Sequence, residues 1–177
     1  MVMNSRLLFA AAALISVTEA RAADWPQFLG PARNGVAAAD EQPVPGEFKS
    51  EPKVVWEKTL GSGHAGPAVA GGRVVVFHRE GGNSVVQALE PGTGKALWRT
   101  VFPTSYRDSF GMDDGPRATP AVSDGRVFVH GADGVLTAIA LADGQQLWQV
   151  DTVKTFDSPQ GFFGRACAPL VHDGRVI

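Results

Sequence analysis

Apolar and polar positions alternate along most of this chain in short runs, and small turn-forming residues break each run before it reaches helical length. Residues 73–79 (RVVVFHR) are a β-branched and aromatic run, entered through Gly71-Gly72 and left through Gly81-Gly82-Asn83. The pattern predicts strands over 65–70, 73–79, 84–90 and 96–101, with Pro91-Gly92-Thr93-Gly94 as the last turn. The same order returns further on, with Asp124-Gly125, Ala132-Asp133-Gly134 and Asp143-Gly144 as turns. Gly, Asn and Asp tolerate the positive φ that tight hairpins demand. One more strand is predicted over 54–60, ahead of the first set. Beyond residue 22 no stretch keeps a 3.6-residue apolar period, so no helix is expected.

These sets are copies of one unit. GPAVAGGRVVVF from Gly66 returns as RATPAVSDGRVFV from Arg117, and a third copy starts at Ala166 as ACAPLVHDGRVI. Trp56, Trp98 and Trp148 lie 42 and 50 positions apart, and Pro67, Pro120 and Pro169 lie 53 and 49 apart. A period of about 40–50 residues with four strands per unit is that of a propeller blade. The expected fold is therefore all-β, a β-propeller of four-stranded antiparallel blades. It holds two full blades, at 65–101 and 118–150, with partial ones flanking them. Rings usually take about 4–8 blades, so this arc is expected not to close by itself, and segment 23–177 in isolation to be poorly soluble, to self-associate or to melt without a sharp transition.

Two insertions, 102–116 and 151–165, interrupt the repeat, and loops on one face of such an array are where binding residues usually sit. The Pro-rich stretch 23–52 reads as an N-terminal arm leading into the propeller segment, 53–177. Ahead of it, Arg6, the apolar run 7–17 and Ala20-Arg21-Ala22 form a signal-peptide pattern over 1–22, with cleavage expected before Ala23. The apolar run is too short for a transmembrane helix, and no membrane span is expected after it. A periplasmic or extracellular location follows. A net charge of −2 gives no reason to expect nucleic acid.

ALEPGTGKALW (88–98) resembles the tryptophan-docking motif A-x-D-x-x-T-G-x-x-x-W of pyrroloquinoline-quinone (PQQ)-dependent dehydrogenases and PQQ-like repeat propellers. Ala88, Thr93, Gly94 and Trp98 match it, with Glu90 in the Asp position. The second copy, AIALADGQQLW, keeps Ala138, Gly144 and Trp148 but carries Ala140 and Asp143 where Asp and Thr are usual. The opening DWPQFLGPARNGV (24–36) is similar to the start of exported PQQ-like repeat proteins. The resemblance implies that Trp98 packs on Ala88 and against Gly144, a structural role.

It also implies two functions to choose between. A PQQ-dependent alcohol or sugar dehydrogenase would need a Ca²⁺ site, an Asp base and often adjacent cysteines beside the quinone. Only Cys167 is present, and its neighbours Ala166, Ala168 and Leu170 predict a strand facing a core. Asp108, Asp113 and Asp114 lack the alternate ligand spacing of a calcium loop and read as a solvated acidic loop. No metal site is expected, and PQQ and calcium enter only under the dehydrogenase alternative. Arg117 and Arg165 each precede a repeat's first strand, where a channel-side anion site or a blade-end salt bridge is expected. His78 and His130 end second strands, His64 opens a strand and His172 sits in a turn, with no metal-ligand pairing among them. No catalytic residue is assigned. The expected function is an exported binding or assembly scaffold, taking a protein, glycan or small molecule at its channel face or loops.

Overall fold

The computed structural model describes residues 23–37, 41, 51–159 and 161–177. The expected leader and most of 38–50 lie outside these. Blade 1 is a four-stranded meander of β1 (Ala68–Ala70), β2 (Arg73–Glu80), β3 (Asn83–Leu89) and β4 (Ala96–Pro103). Blade 2 repeats it with β5 (Ala121–Ser123), β6 (Arg126–His130), β7 (Val135–Ala140) and β8 (Gln146–Asp151). After a short helix, α1 (Thr152–Phe156), the hairpin β9 (Val171–His172) and β10 (Arg175–Val176) opens a third unit. Every pairing is antiparallel.

Local chemistry sets the register. At Asp124-Gly125 the two turn residues have φ of 49° and 69°, the primed geometry that matches strand twist. Asp173-Gly174 repeats it with 47° and 71°. In both blades the third and fourth strands pair Ala with Trp, Ala88 with Trp98 and Ala138 with Trp148, and a bulge follows at once. The repeat thus survives down to its irregularities.

The two blades meet face to face. Val75, Phe77, Val86, Ala88, Trp98 and Phe102 of blade 1 form one core with Val127, Val129, Ile139 and Leu141 of blade 2. These positions alternate along their strands, as a sheet with one buried face requires. Each large apolar side chain buried there stabilises by about 1.5–3 kcal/mol. The N-terminal arm runs across the edge where β1 and β5 touch. Trp25 and Val69 exchange backbone hydrogen bonds of 2.7 and 2.9 Å, and Val122 N–H donates to Pro26 O at 2.8 Å. Arg33 Nη1 donates to Pro169 O at 3.4 Å, so the arm touches all three units.

Several expectations need correction. Residues 54–60 form no strand; this stretch lies over blade 1 with Val54 and Val55 exposed, because no neighbouring strand among the described residues pairs with it. One helix exists after all. Asp151 caps α1, its Oδ1 accepting from Lys154 N–H at 3.1 Å, and Asp157 ends it at φ 49°. Five residues are too few to show a helical period. Cys167 is exposed and outside any strand. His64 precedes β1 in irregular, exposed chain, and His172 ends β9 instead of lying in the turn. No helix among the described residues is long and apolar enough to cross a membrane.

Candidate functional site

The insertion after β4 is a folded loop built around a buried charge pair. Tyr106 is 5% exposed, with the Arg117 guanidinium 5.1 Å from its ring centroid. Its hydroxyl donates to Asp108 Oδ1 at 3.2 Å, and Arg117 Nη2 donates to the same oxygen at 3.3 Å. Met112 N–H donates to Asp108 Oδ2 at 2.8 Å. That backbone donor, with the Tyr106 hydroxyl, the Phe110 N–H and Arg117 behind it, holds the Asp108 carboxyl below its ordinary range. Arg117 also donates to Gly115 O at 2.6 Å and Asp113 O at 2.7 Å. Asp114 is lowered by Asp108 N–H at 2.7 Å and by its Arg107 partner at 2.6 Å. The acidic loop is therefore not simply solvated: Asp108 is buried, and the arginine it needs lies nine residues on.

A second arginine clasps this loop to blade 1. Arg79 is 4% exposed. Its Nε donates to Gly81 O at 2.6 Å, and its Nη1 donates to Tyr106 O at 2.7 Å and Asp114 O at 2.8 Å. Only its place on the buried face, in the Val75, Phe77, Arg79 alternation, could have flagged it.

The two insertions meet through Tyr106 and Gly164. A Cβ on Gly164 would stand 2.7 Å from Tyr106 Cε2, so the backbone itself lies on the ring. Arg165 N–H donates to Ala132 O at 3.0 Å and fixes the second insertion to blade 2. This contact brings Phe110 over Phe162, with centroids 4.4 Å apart and planes at 27°. Phe163 stands edge-on to Phe162 at 4.7 Å and 84°. The three rings are 54%, 68% and 44% exposed, and Met112 is 72% exposed. An exposed aromatic stack from two segments some fifty residues apart is the most distinctive surface of the molecule. The signal for it was GFFG (161–164), two phenylalanines between glycines in an insertion.

Arg117 and Arg165 do not converge. Arg117 lines an open, mostly apolar cleft of about 790 Å³ beside the arm, with Trp25, Arg33, His64, Val69 and Cys167. Arg165 lines a second, polar cleft of about 510 Å³ with Arg107, Asp133, Asp151 and Lys154. Among the described residues no group of three His, Cys, Asp or Glu side chains is placed to hold a metal.

Two of the repeated tryptophans, Trp56 and Trp98, occupy slots on the next unit. Trp98 Nε1 donates to Leu141 O at 2.9 Å, and a Cβ on Gly144 would stand 2.7 Å from its Cε3. Ala88 faces Trp98 in register and is fully buried. Trp56 sits in the equivalent place one unit earlier. Its Nε1 donates to Pro91 O at 2.7 Å, and a Cβ on Gly94 would stand 2.5 Å from its Cε3. Trp148 packs on Phe128 at 5.9 Å and stays 38% exposed. Within the turns, Glu90 Oε1 accepts from Gly92 N–H at 2.9 Å, a bond Ala140 cannot make. Asp143 Oδ1 accepts from Gln145 N–H at 3.0 Å, the place taken in the first copy by Thr93 Oγ1 and Lys95 N–H at 3.3 Å.

Two four-stranded blades in face-to-face contact, joined by Trp98 reaching from the first into the second, define an arc of a repeat β-propeller. The chain belongs to the PQQ_2 family, whose model, described as outer membrane protein assembly factor BamB, matches residues 48–177. It is similar to BamB of Burkholderia pseudomallei, 30% identical over 136 residues, which covers 74% of this chain and 30% of that protein. It is also similar to 1-butanol dehydrogenase (cytochrome c) of Thauera butanivorans, 37% identical over 97 residues, covering 53% of this chain and 13% of that enzyme. Among solved structures, quinohemoprotein alcohol dehydrogenase from Comamonas testosteroni superposes with a TM-score of 0.62 at 27% identity. That match covers 89% of this chain and 23% of the enzyme. The chain thus spans a third or less of the length of each of these relatives.

Proposed function

We propose that this chain is part of an exported binding scaffold that assists the assembly of outer membrane proteins, with the Phe110, Phe162 and Phe163 platform as its protein-docking face. The platform carries the reading. Aromatic residues and methionine left exposed in a cluster are the side chains enriched at the centres of protein interfaces. The membership of an assembly-factor family supports a protein partner over a glycan or a small molecule. The leader pattern over 1–22 supports export. In cells lacking the gene, the wild-type protein should start at Ala23 by mass spectrometry and restore the levels of outer-membrane β-barrel proteins. A Phe110→Ser/Phe162→Ser variant should be exported equally, melt within a few degrees of wild type and fail to restore them. Full restoration by that variant would remove the platform from the function.

A quinoprotein oxidoreductase is the second reading, favoured by the superposition on the Comamonas enzyme. The residues of the larger cleft fit that role poorly. PQQ is a tricarboxylate that needs free cations, whereas Arg117 is matched by Asp108 and two carbonyls, and Arg33 is bonded to Gln27 and Pro169 O. Cys167 brings a single thiol to the cleft. The proposal is therefore that this segment takes no quinone. Fluorescence titration with PQQ and Ca²⁺ should show no saturable quenching up to about 100 μM, where a specific site in the usual micromolar range would be filled. Stoichiometric binding would restore the oxidoreductase reading.

A further inference from the structure

Residues 53–62 form a strap across the face of blade 1 that points away from blade 2. Val76, His78, Val85 and Gln87 share that face, because the register pairs Val76 with Gln87 and His78 with Val85. All four are buried. Trp56 seats one end of the strap in its slot at Gly94. The other end is tied by two neighbouring contacts. Ser62 and Arg79 exchange backbone hydrogen bonds of 3.0 and 2.8 Å, and Gly61 N–H donates to His78 Nδ1 at 3.0 Å. A Cβ on Gly61 would lie 1.9 Å from Arg79 O and 2.9 Å from His78 Nδ1, so the backbone must come this close to reach the ring.

The contact dictates a protonation state. Nδ1 accepts, so the ring is neutral and its proton sits on Nε2, an atom buried without a hydrogen-bond partner. We infer that His78 is an acid-released latch, holding the strap at Gly61 only while its Nδ1 is unprotonated. A proton on Nδ1 would set one N–H against another and leave a cation in a site 2% open to water. The groups facing the ring pull in both directions. Burial disfavours the charged ring most strongly. Glu80, with Oε1 3.8 Å from Nδ1, favours it, while Arg99 on β4 and Lys58 on the strap oppose it. Glu80 is half engaged elsewhere, through Arg99 at 2.6 Å.

Burial prevails and lowers the latched ring below the ordinary 6.5. The sign follows from linkage. The released ring binds protons more readily, so the strap is fully held above about pH 6.5 and loosens as pH falls from there through the latched value. Release frees the Gly61 end of the strap, beside the buried Val76 and Val85 face. Acidification below pH 6.5 thereby loosens the cover over a second apolar surface.

Amide hydrogen exchange at Gly61 and Ser62, corrected for intrinsic rates, tests this on the whole chain between pH 8 and 5, with the His78 ring shifts followed by NMR in the same samples. Protection at both amides should fall at least tenfold with the His78 midpoint, which lies below 6.5, while Val86 in the blade core keeps its protection. His78→Asn, whose Oδ1 replaces Nδ1 as acceptor, should hold the strap across the whole range. Glu80→Gln should move the midpoint lower. Protection that stays flat through the His78 titration, a pH-dependent loss that persists in His78→Asn, or a midpoint raised by Glu80→Gln would each overturn the latch.

Discussion

Gly144→Ala is expected to cost about 4 kcal/mol, a large part of the roughly 5–15 kcal/mol that holds a domain together. Two effects add at this position. The backbone sits at φ +80°, where a side chain costs about 1–2 kcal/mol. The new methyl would also stand 2.7 Å from Trp98 Cε3 and 2.9 Å from Thr100 Oγ1. Trp98 must then move out, losing its bond to Leu141 O and the packing whose removal by truncation costs about 3–5 kcal/mol. Gly125→Ala separates the two effects. Its φ is +69°, yet nothing lies within 4 Å of the added Cβ, so it should show the backbone strain alone. Urea unfolding of both variants measures the difference. Equal losses would mean that the ring does not depend on the glycine beneath it.

Arg79→Met should also be damaging and should act on the loop in particular. The substitution keeps a long apolar stem and removes the donors that satisfy the carbonyls of Gly81, Tyr106 and Asp114. The buried Tyr106 carbonyl left unpaired costs about 1–3 kcal/mol and the part-buried carbonyls of Gly81 and Asp114 less, so the expected loss is about 2 kcal/mol or more. Arg79→Lys should rescue little, since one ammonium cannot span three carbonyls that a planar fork reaches. The loop offers its own readout. Arg107 has a 74% exposed side chain, and trypsin should cut after it at least tenfold faster once the loop is unclasped. Unchanged cleavage in Arg79→Met would show that the Asp108–Arg117 pair holds the loop unaided.

What was legible in the sequence was what repeats. Strand order, the Asp-Gly turns and the positions of Trp98 and Trp148 were readable because a blade must present the same apolar face and the same turn at each recurrence. What was not legible depends on single encounters between distant segments. Asp108 looked solvated because neither Arg117 nor the Tyr106 ring is visible from local spacing. The Phe110 stack needs Gly164 to press its backbone on Tyr106, and no periodicity announces that. Cys167 was placed in a core because its small apolar neighbours imitate a strand, whereas pairing there begins only at Leu170, which exchanges hydrogen bonds with Ile177. Residues 54–60 carry strand-like composition but lack a paired neighbour, and a strand is a property of two segments.

The arm that touches three units has a geometric consequence. Its contacts at Val69, Val122 and Pro169 fall on the first strand, or just before it, of successive repeats, along one rim of the arc. The tryptophan slots at Gly94 and Gly144 are set by the fourth strands, at the opposite rim. One rim is thus spaced by a chord of fixed length and the other by the thickness of an indole ring. Two fixed spacings at two radii determine a wedge angle, and the wedge angle determines how many blades complete a circle. The angle between blades 1 and 2 is therefore held at two radii at once, and changing it would require the arm and the Gly144 slot to change together.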